Sequence, residues 1–422
     1  MIIKRVMAAI CTLLFCFIPL TCPAENEDLF QLSCGQSERL EYRCTLPDGG
    51  LILTGADDPF EPGKDACAKV MCLNADRTIR WEYTDFNRNG YTAAELATVL
   101  PDGTIAVVFE DYPEKIFVKF FTPEGKLARK KMNLKPKRGE TGQVYALAPS
   151  FFMVFDSVDR GPDGYFGYDY ETVLYNWSGR ETARYNGLIV RDGYGFLVSE
   201  SDALVTYGKE ELFGGHAKIM RLDETNGSIL WETEPDYQLP GADQAELIHI
   251  VQAEDGGYIG WLREGRPSVD GLSSEYSYFL VRFDADGRLL WAKNSESLNC
   301  NGSVMNLCTY NGKIVMECGE ADDESWSKGS PLRFLWMDLD GNETGTVELS
   351  LKPEDFWMMQ DSLPENDGIY RFPWIGINQL IPMADGVWAF ATFYIAEKEE
   401  AGQGIGLPLE KSEIVMIRIP EI

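Results

Sequence analysis

Histidine is almost missing from this sequence of 422 residues: only His216 and His249 occur. A nucleophile activated by histidine therefore has little to draw on, and no GxSxG elbow, HExxH helix or GxxxxGK[ST] loop is present. His249 sits in an apolar strand pattern and reads as a core residue, while His216 borders a loop without an obvious partner. Positive charge is also scarce, with 38 bases against 67 acids and a net charge of −29. Such a surface repels nucleic acid and anionic lipid and tolerates cations or basic partners, and solubility alone accounts for it equally well. No CxxC occurs among the ten cysteines, which leaves a zinc ribbon or a thioredoxin-like site unsupported.

Long apolar runs are absent except at the start. Lys4 and Arg5 precede an apolar stretch from Val6 to Leu20, followed by Thr21-Cys22-Pro23-Ala24. The run is short for a membrane span and reads as a signal peptide over 1–24, cut after Ala24. Lipid attachment at Cys22 is an alternative, although Pro19-Leu20-Thr21 fits a lipoprotein box poorly, and an uncleaved anchor is another. On this reading residues 25–422 form a single domain that is secreted or held in the cell envelope. Seven cysteines then remain, an odd number.

What is present is a repeat. Residues 68–81 (AKVMCLNADRTIRW), 217–231 (AKIMRLDETNGSILW) and 278–291 (YFLVRFDADGRLLW) each show an apolar run, an Asp/Asn/Gly turn, an apolar pair and a tryptophan. Weaker copies lie at 115–128, 171–183 and 332–347. Each is a β-hairpin by pattern and turn chemistry. Another hairpin precedes each, at 43–54, 96–108, 144–155, 187–199, 247–261 and 305–318, with a seventh at 378–390. Four short strands repeated in this way predict an all-β chain, a β-propeller of about seven four-stranded blades. The last unit has a third strand at 413–419 and no fourth. Residues 28–33 are the candidate to supply it and to close the ring.

Asp223, Gly227 and Trp231, and again Asp284, Gly287 and Trp291, resemble the repeat of the quinoprotein-like (PQQ-type) propellers. The resemblance implies a tryptophan packed between neighbouring blades. Catalytic members hold a quinone with a vicinal cysteine pair and a calcium site on eight blades. This chain has no adjacent cysteines and about seven blades, so a non-catalytic branch is implied, with no cofactor and no metal. Asp284-Ala285-Asp286-Gly287 looks like the start of a calcium loop but lacks the later ligands, and a hairpin turn explains it better.

Strand alternation puts the tight turns on one face of the disc and the long connections on the other. The long connections carry acids and aromatic rings, and the ligand-face candidates are Asp57, Asp85, Tyr112, Asp159, Tyr165, Tyr237, Asp322, Trp326, Trp357 and Trp374. Rings that simply pin loops onto the blades are the bland alternative. Cys34 with Cys67, and Cys300 with Cys318, fall near this face of the first and sixth blades and are the disulfide candidates. Cys44, Cys72 and Cys308 read as buried small hydrophobes. The expected function is an exported, non-catalytic, monomeric propeller binding a protein, peptide or glycan. It would bind no nucleic acid and insert in no membrane after cleavage. Alternatives are a carboxylate-based glycan-active enzyme and a cell-envelope assembly scaffold.

Overall fold

A computed structural model describes residues 29–35, 38–57, 67–85, 92–111, 115–134, 143–147, 150–159, 168–186, 196–198, 203–209, 217–223, 228–233, 244–267, 274–298, 300, 306–318, 332–350, 370–398 and 412–422. Seven four-stranded antiparallel sheets account for every strand among them. Sheet 1 is β2 (Glu38–Thr45), β3 (Leu51–Asp57), β4 (Cys67–Leu73) and β5 (Ile79–Asp85). Sheet 2 is β6 (Thr92–Val99), β7 (Ile105–Asp111), β8 (Lys115–Phe121) and β9 (Leu127–Leu134). Sheet 3 is β10 (Gln143–Leu147), β11 (Phe151–Asp159), β12 (Tyr168–Asn176) and β13 (Glu181–Asn186). Sheet 4 is β14 (Phe196–Val198), β15 (Ala203–Lys209), β16 (Ala217–Asp223) and β17 (Ile229–Thr233). Sheet 5 is β18 (Gln244–Gln252), β19 (Tyr258–Pro267), β20 (Ser274–Phe283) and β21 (Leu289–Asn294). Sheet 6 is β22 (Leu307–Tyr310), β23 (Lys313–Glu317), β24 (Leu332–Asp338) and β25 (Glu343–Leu349). Sheet 7 joins β26 (Tyr370–Met383), β27 (Gly386–Lys398) and β28 (Ser412–Ile419) to β1 (Leu29–Gly35) from the other end of the chain.

The first strands lie against one another in sequence, β2 on β6, β6 on β10 and onward to β26, which lies against β2. They are the innermost strands of a β-propeller, and the fourth strands form its rim. The core sits between sheets rather than within one. Ile52, Val70 and Cys72 of sheet 1 pack on Ile105, Val107 and Phe109 of sheet 2, and Val315 and Trp336 of sheet 6 pack on Ala389 and Val415 of sheet 7. Burial of these apolar faces is the main drive for stacking the sheets.

The repeat has a local cause. In the third-to-fourth turns of sheets 1, 2, 3, 5 and 6, as in Asp284–Arg288, the first residue's carbonyl takes the fourth residue's N–H and its N–H returns to the fifth residue's carbonyl. A glycine at φ near +80° makes the reversal possible, as at Gly125 and Gly287. The register then slips by one on the outer strand, so that Arg80 is extra and Trp81 faces Cys72. That slip aims Trp81 at the next blade, where its Nε1–H donates to Pro123 O at 2.9 Å. A Cβ at Gly125 would lie 2.6 Å from the indole, so only glycine admits the contact. Trp291 repeats this with Leu339 O at 3.0 Å and Gly341, and Trp231 lies against Gly287.

The last blade departs from this rule. Its outer strand, β1, has no tryptophan, and sheet 1 has Arg77 where other turns have glycine, at φ 69°. The Arg77 guanidinium fills the gap, 3.7 Å from the Trp388 ring centroid and 5.2 Å from that of Phe30, and it pairs with Asp385. β1 pairs with β28 from Leu29↔Ile417 to Gly35↔Ser412.

Three expectations change. The first hairpin of sheet 4 is β14–β15, not 187–199, because the polar run Ser199-Glu200-Ser201-Asp202, rather than Asp192-Gly193, separates the paired strands. Trp374 lies inside β26, opposite Tyr394, because the last first-hairpin extends well beyond 378–390. Cys34 lies on the rim strand of the last sheet rather than in the first blade.

Candidate functional site

The tight-turn face spends its polar groups on itself. Asp48 Oδ1 accepts from Gly50 N at 3.1 Å, Asp102 Oδ1 from Thr104 N at 3.0 Å and Asp255 Oδ1 from Gly257 N at 3.1 Å. Asp284 Oδ1 accepts from the backbone N–H groups of Asp286 and Arg288 at 2.9 and 2.8 Å, so this sequence is a side-chain-capped turn. The backbone donor of Gly50 holds the Asp48 carboxyl below the usual carboxylate range, against a smaller burial effect, and Arg80 assists at 2.7 Å. The concavity here, about 540 Å³, is lined by Leu46, Pro47, Leu100 and Pro101 of the twin Leu-Pro turns of sheets 1 and 2.

The strand ends on the opposite side receive the second-to-third and fourth-to-first connections. The longest of these are 350–369, between β25 and β26, 318–331, between β23 and β24, and 399–411, between β27 and β28. All three border sheets 6 and 7. The candidates Tyr112, Tyr165, Tyr237, Asp322, Trp326 and Trp357 lie outside the described residues, as does His216. Asp57 and Asp159 are the last residues of β3 and β11, paired in the backbone with Cys67 and Tyr168. Asp85 ends β5, and its carboxylate accepts from Lys119 Nζ of sheet 2 at 2.5 Å, while the same ammonium donates to Tyr83 Oη at 2.7 Å. Asp85 thus joins two blades.

Cys300 and Cys318 form a disulfide across 18 residues of sequence, beside sheet 6 and the longest connections. The side chain of Cys34 lies outside the described residues. Burial pushes the Cys44 and Cys72 thiols up to about 12 and about 11, with Cys308 raised further, so none is poised as a thiolate nucleophile at neutral pH. His249 on β18 is lowered to about 4 by burial, partly offset by a hydrogen bond with the Leu307 backbone, and stays neutral under ordinary conditions.

Sequence reasoning missed one group, on the inner strands of sheets 1 and 2. Arg43 binds Glu41 at 2.7 Å and donates through Nε to Thr54 Oγ1 at 2.9 Å. Glu95 is the extra residue of a bulge in β6. Its pKa is raised by burial and by Glu41 and lowered by Arg43. Glu110 of β7 is pushed up to about 7, chiefly by burial and then by Glu95. Far around the ring, Glu317 is likewise raised to about 7 by burial, although Asn306 Nδ2 donates to it at 2.8 Å. The available signal was a glutamate inside an otherwise apolar strand, as in 92–99 and 313–318.

These features define a seven-bladed β-propeller. No family model and no curated protein matches the chain. Among solved structures it is similar to the β-propeller domain of the Trilobed protease from Pyrococcus furiosus, at 11% identity over 87% of this chain and 99% of that one, TM-score 0.44. It is also similar to Drosophila Plexin A, solved in complex with Semaphorin 1b, at 8% identity over 92% and 87%, TM-score 0.47. A third likeness is to quinohemoprotein alcohol dehydrogenase from Comamonas testosteroni, at 12% identity over 96% and 79%, TM-score 0.41. These likenesses concern the fold.

Proposed function

We propose that the chain is an exported, non-catalytic propeller of the PQQ-like kind that binds a protein, peptide or glycan on the side of its long connections. One observation carries the reading: the short turns of one face consume their own polar groups, while the strand ends joined by the longest connections are those of sheets 6 and 7 on the other face. Loops of such length in a compact fold are more often functional than idle. Asp322, Trp326 and Trp357 belong to those connections in the sequence and are the carboxylate and aromatic candidates there. Export rests on the apolar N-terminal run, and a monomer is the expected state.

The test is binding of the 25–422 chain to glycan and peptide arrays, followed by Trp326→Ala with Trp357→Ala. Loss of a selective ligand in this variant, with the ligand retained in Leu46→Ala on the turn face, supports the reading. A ligand lost only in the turn-face variant contradicts it. The mass of the exported N-terminus checks cleavage after Ala24.

A second reading has its own observation. Burial, and then Glu95, push Glu110 up to about 7, and a carboxyl that keeps its proton near neutrality is what the general acid of glycoside cleavage requires. Release of reducing sugar from a glycan panel, abolished by Glu110→Gln, would favour that enzyme over the binding domain.

A further inference from the structure

We infer that residues 420–422 are a latch on the junction between sheets 6 and 7, and that this junction opens locally when they undock. The cause lies in the ring closure. In sheets 1, 4 and 5 the outer strand carries a tryptophan opposite Cys72, Arg221 and Arg282 respectively. Each tryptophan lies against a turn glycine of the following sheet, Gly125, Gly287 or Gly341. Sheet 7 has no third-to-fourth turn to receive one, because its fourth strand is β1. Sheet 6 correspondingly has Gly345 at the tryptophan position, opposite Trp336.

The run that leaves β28 fills the place instead. A Cβ on Gly345 would lie 2.8 Å from Ile422 Cδ1, so the isoleucine packs directly on bare backbone there. Lys313 of β23 donates through Nζ to Ile422 O at 2.5 Å and lies 3.6 Å from the Glu421 carboxylate. The extension of β28, which belongs to sheet 7, is thereby fastened to both β23 and β25 of sheet 6.

The fastening is labile where the tryptophan contacts are not. Trp81, Trp231 and Trp291 sit within hydrogen-bonded strands and cannot leave without breaking a ladder. Residues 420–422 lie beyond the last ladder pair of β28, Val387↔Ile419, and can leave without breaking one. Ile422 is 46% exposed even when docked, so undocking returns little apolar area to water. The Lys313 and Glu421 side chains are partly exposed, and an ion pair of that kind contributes little. Trp336 is fully buried at this junction with its Nε1–H unpartnered, and water admitted by undocking satisfies that donor. A contact with these terms opens far more readily than the sheets unfold.

This device stands whether or not the long connections bind a ligand. Cys308 reports on it, because this free thiol is 3% exposed in the core between sheets 6 and 7. Cys72, fully buried in the core between sheets 1 and 2, is the internal reference. The test is the rate of alkylation of the 25–422 chain by iodoacetamide under native, mildly alkaline conditions, read at each cysteine by peptide mapping. Removal of residues 420–422 is expected to raise the Cys308 rate about tenfold, Ile422→Ala about three- to fivefold and Lys313→Gln about twofold, with the Cys72 rate unchanged. Leu290→Ala, at an exposed position on the rim of sheet 5, should change neither rate. Equal Cys308 rates in the parent and the shortened chain overturn the inference. So does a parallel rise at Cys72, which marks global unfolding, or an equal rise in Leu290→Ala.

Discussion

Arg77 of the first sheet pairs with Asp385 of the last, and its guanidinium lies over Trp388 in the slot that a tryptophan and a glycine fill at other blade junctions. Trp388 Nε1–H also donates to Asp385 Oδ1 at 3.1 Å, and Arg418 donates to Asp385 O at 2.8 Å. Arg77 adopts φ 69°, which costs a non-glycine residue about 1–2 kcal/mol.

Arg77→Ala should therefore keep that cost and lose the contacts, with a net destabilisation of about 1–2 kcal/mol in urea melts at pH 7. Arg77→Gly relieves the backbone and should lose less. Burial would raise the Asp385 carboxyl, but the hydrogen bonds from Arg77 and Trp388 hold it below 3.8. A carboxyl depressed in the folded state stabilises above its unfolded pKa and loses that contribution as the pH falls through the folded value. The gap between parent and Arg77→Ala should accordingly narrow between pH 5 and pH 2, about the range over which such a group titrates.

Gly125 and Gly103 separate two costs. Both have φ +80°, but a Cβ at Gly125 meets the Trp81 ring while nothing lies within 4 Å of one at Gly103. Gly103→Ala should cost about 1 kcal/mol, the backbone penalty alone, and Gly125→Ala about 2–4 kcal/mol. Thermal melts of the two variants, and of Gly125→Ala with Trp81→Ala, would show whether the excess belongs to the indole contact.

Glu317 gives the opposite pH sign from Asp385. Its folded pKa, about 7, lies above the ordinary 4.5 because burial disfavours the charged form. The contribution is present in full below the unfolded value and is lost as the pH rises through the folded one. Glu317→Gln keeps an acceptor for Asn306 and removes the buried charge. It should raise stability at pH 8 by about 1–3 kcal/mol and change little at pH 4, read from melting temperatures across that range.

The Cys300–Cys318 bridge closes a short loop at the base of sheet 6. Its reduction, or Cys300→Ala with Cys318→Ala, should lower stability by about 2–4 kcal/mol. Peptide mapping without reductant should recover residues 300 and 318 in one linked species.

The blades were legible because their turn chemistry is local. The Asp/Asn/Gly turn, the slipped register and the tryptophan after it lie within one hairpin, so 68–81, 217–231 and 278–291 announce the strands found there. Seven sheets and the use of the N-terminal strand followed from counting hairpins. Sheet 4 was misregistered because its Asp192-Gly193 gives a stronger turn signal than the Ser199–Asp202 run that separates the strands. The Arg77–Asp385 contact could not be read, since its partners are 308 residues apart and meet only through closure. The carboxyl group around Glu95 was missed for a related reason: its pKa depends on burial between two sheets, not on any spacing in the sequence. The ligand-face residues were chosen by loop length and composition, which locate a side of the disc but pick no partner.

The account rests most heavily on the two ends of the chain sharing one sheet, with Gln31 opposite Val415. The direct measurement is the cross-link in Gln31→Cys/Val415→Cys, made in an otherwise unchanged chain, oxidised and mapped by mass spectrometry. A linked peptide pair joining residues 31 and 415 within a monomer is the expected result. Failure to form that bridge, or its formation only between two molecules, would contradict the shared sheet.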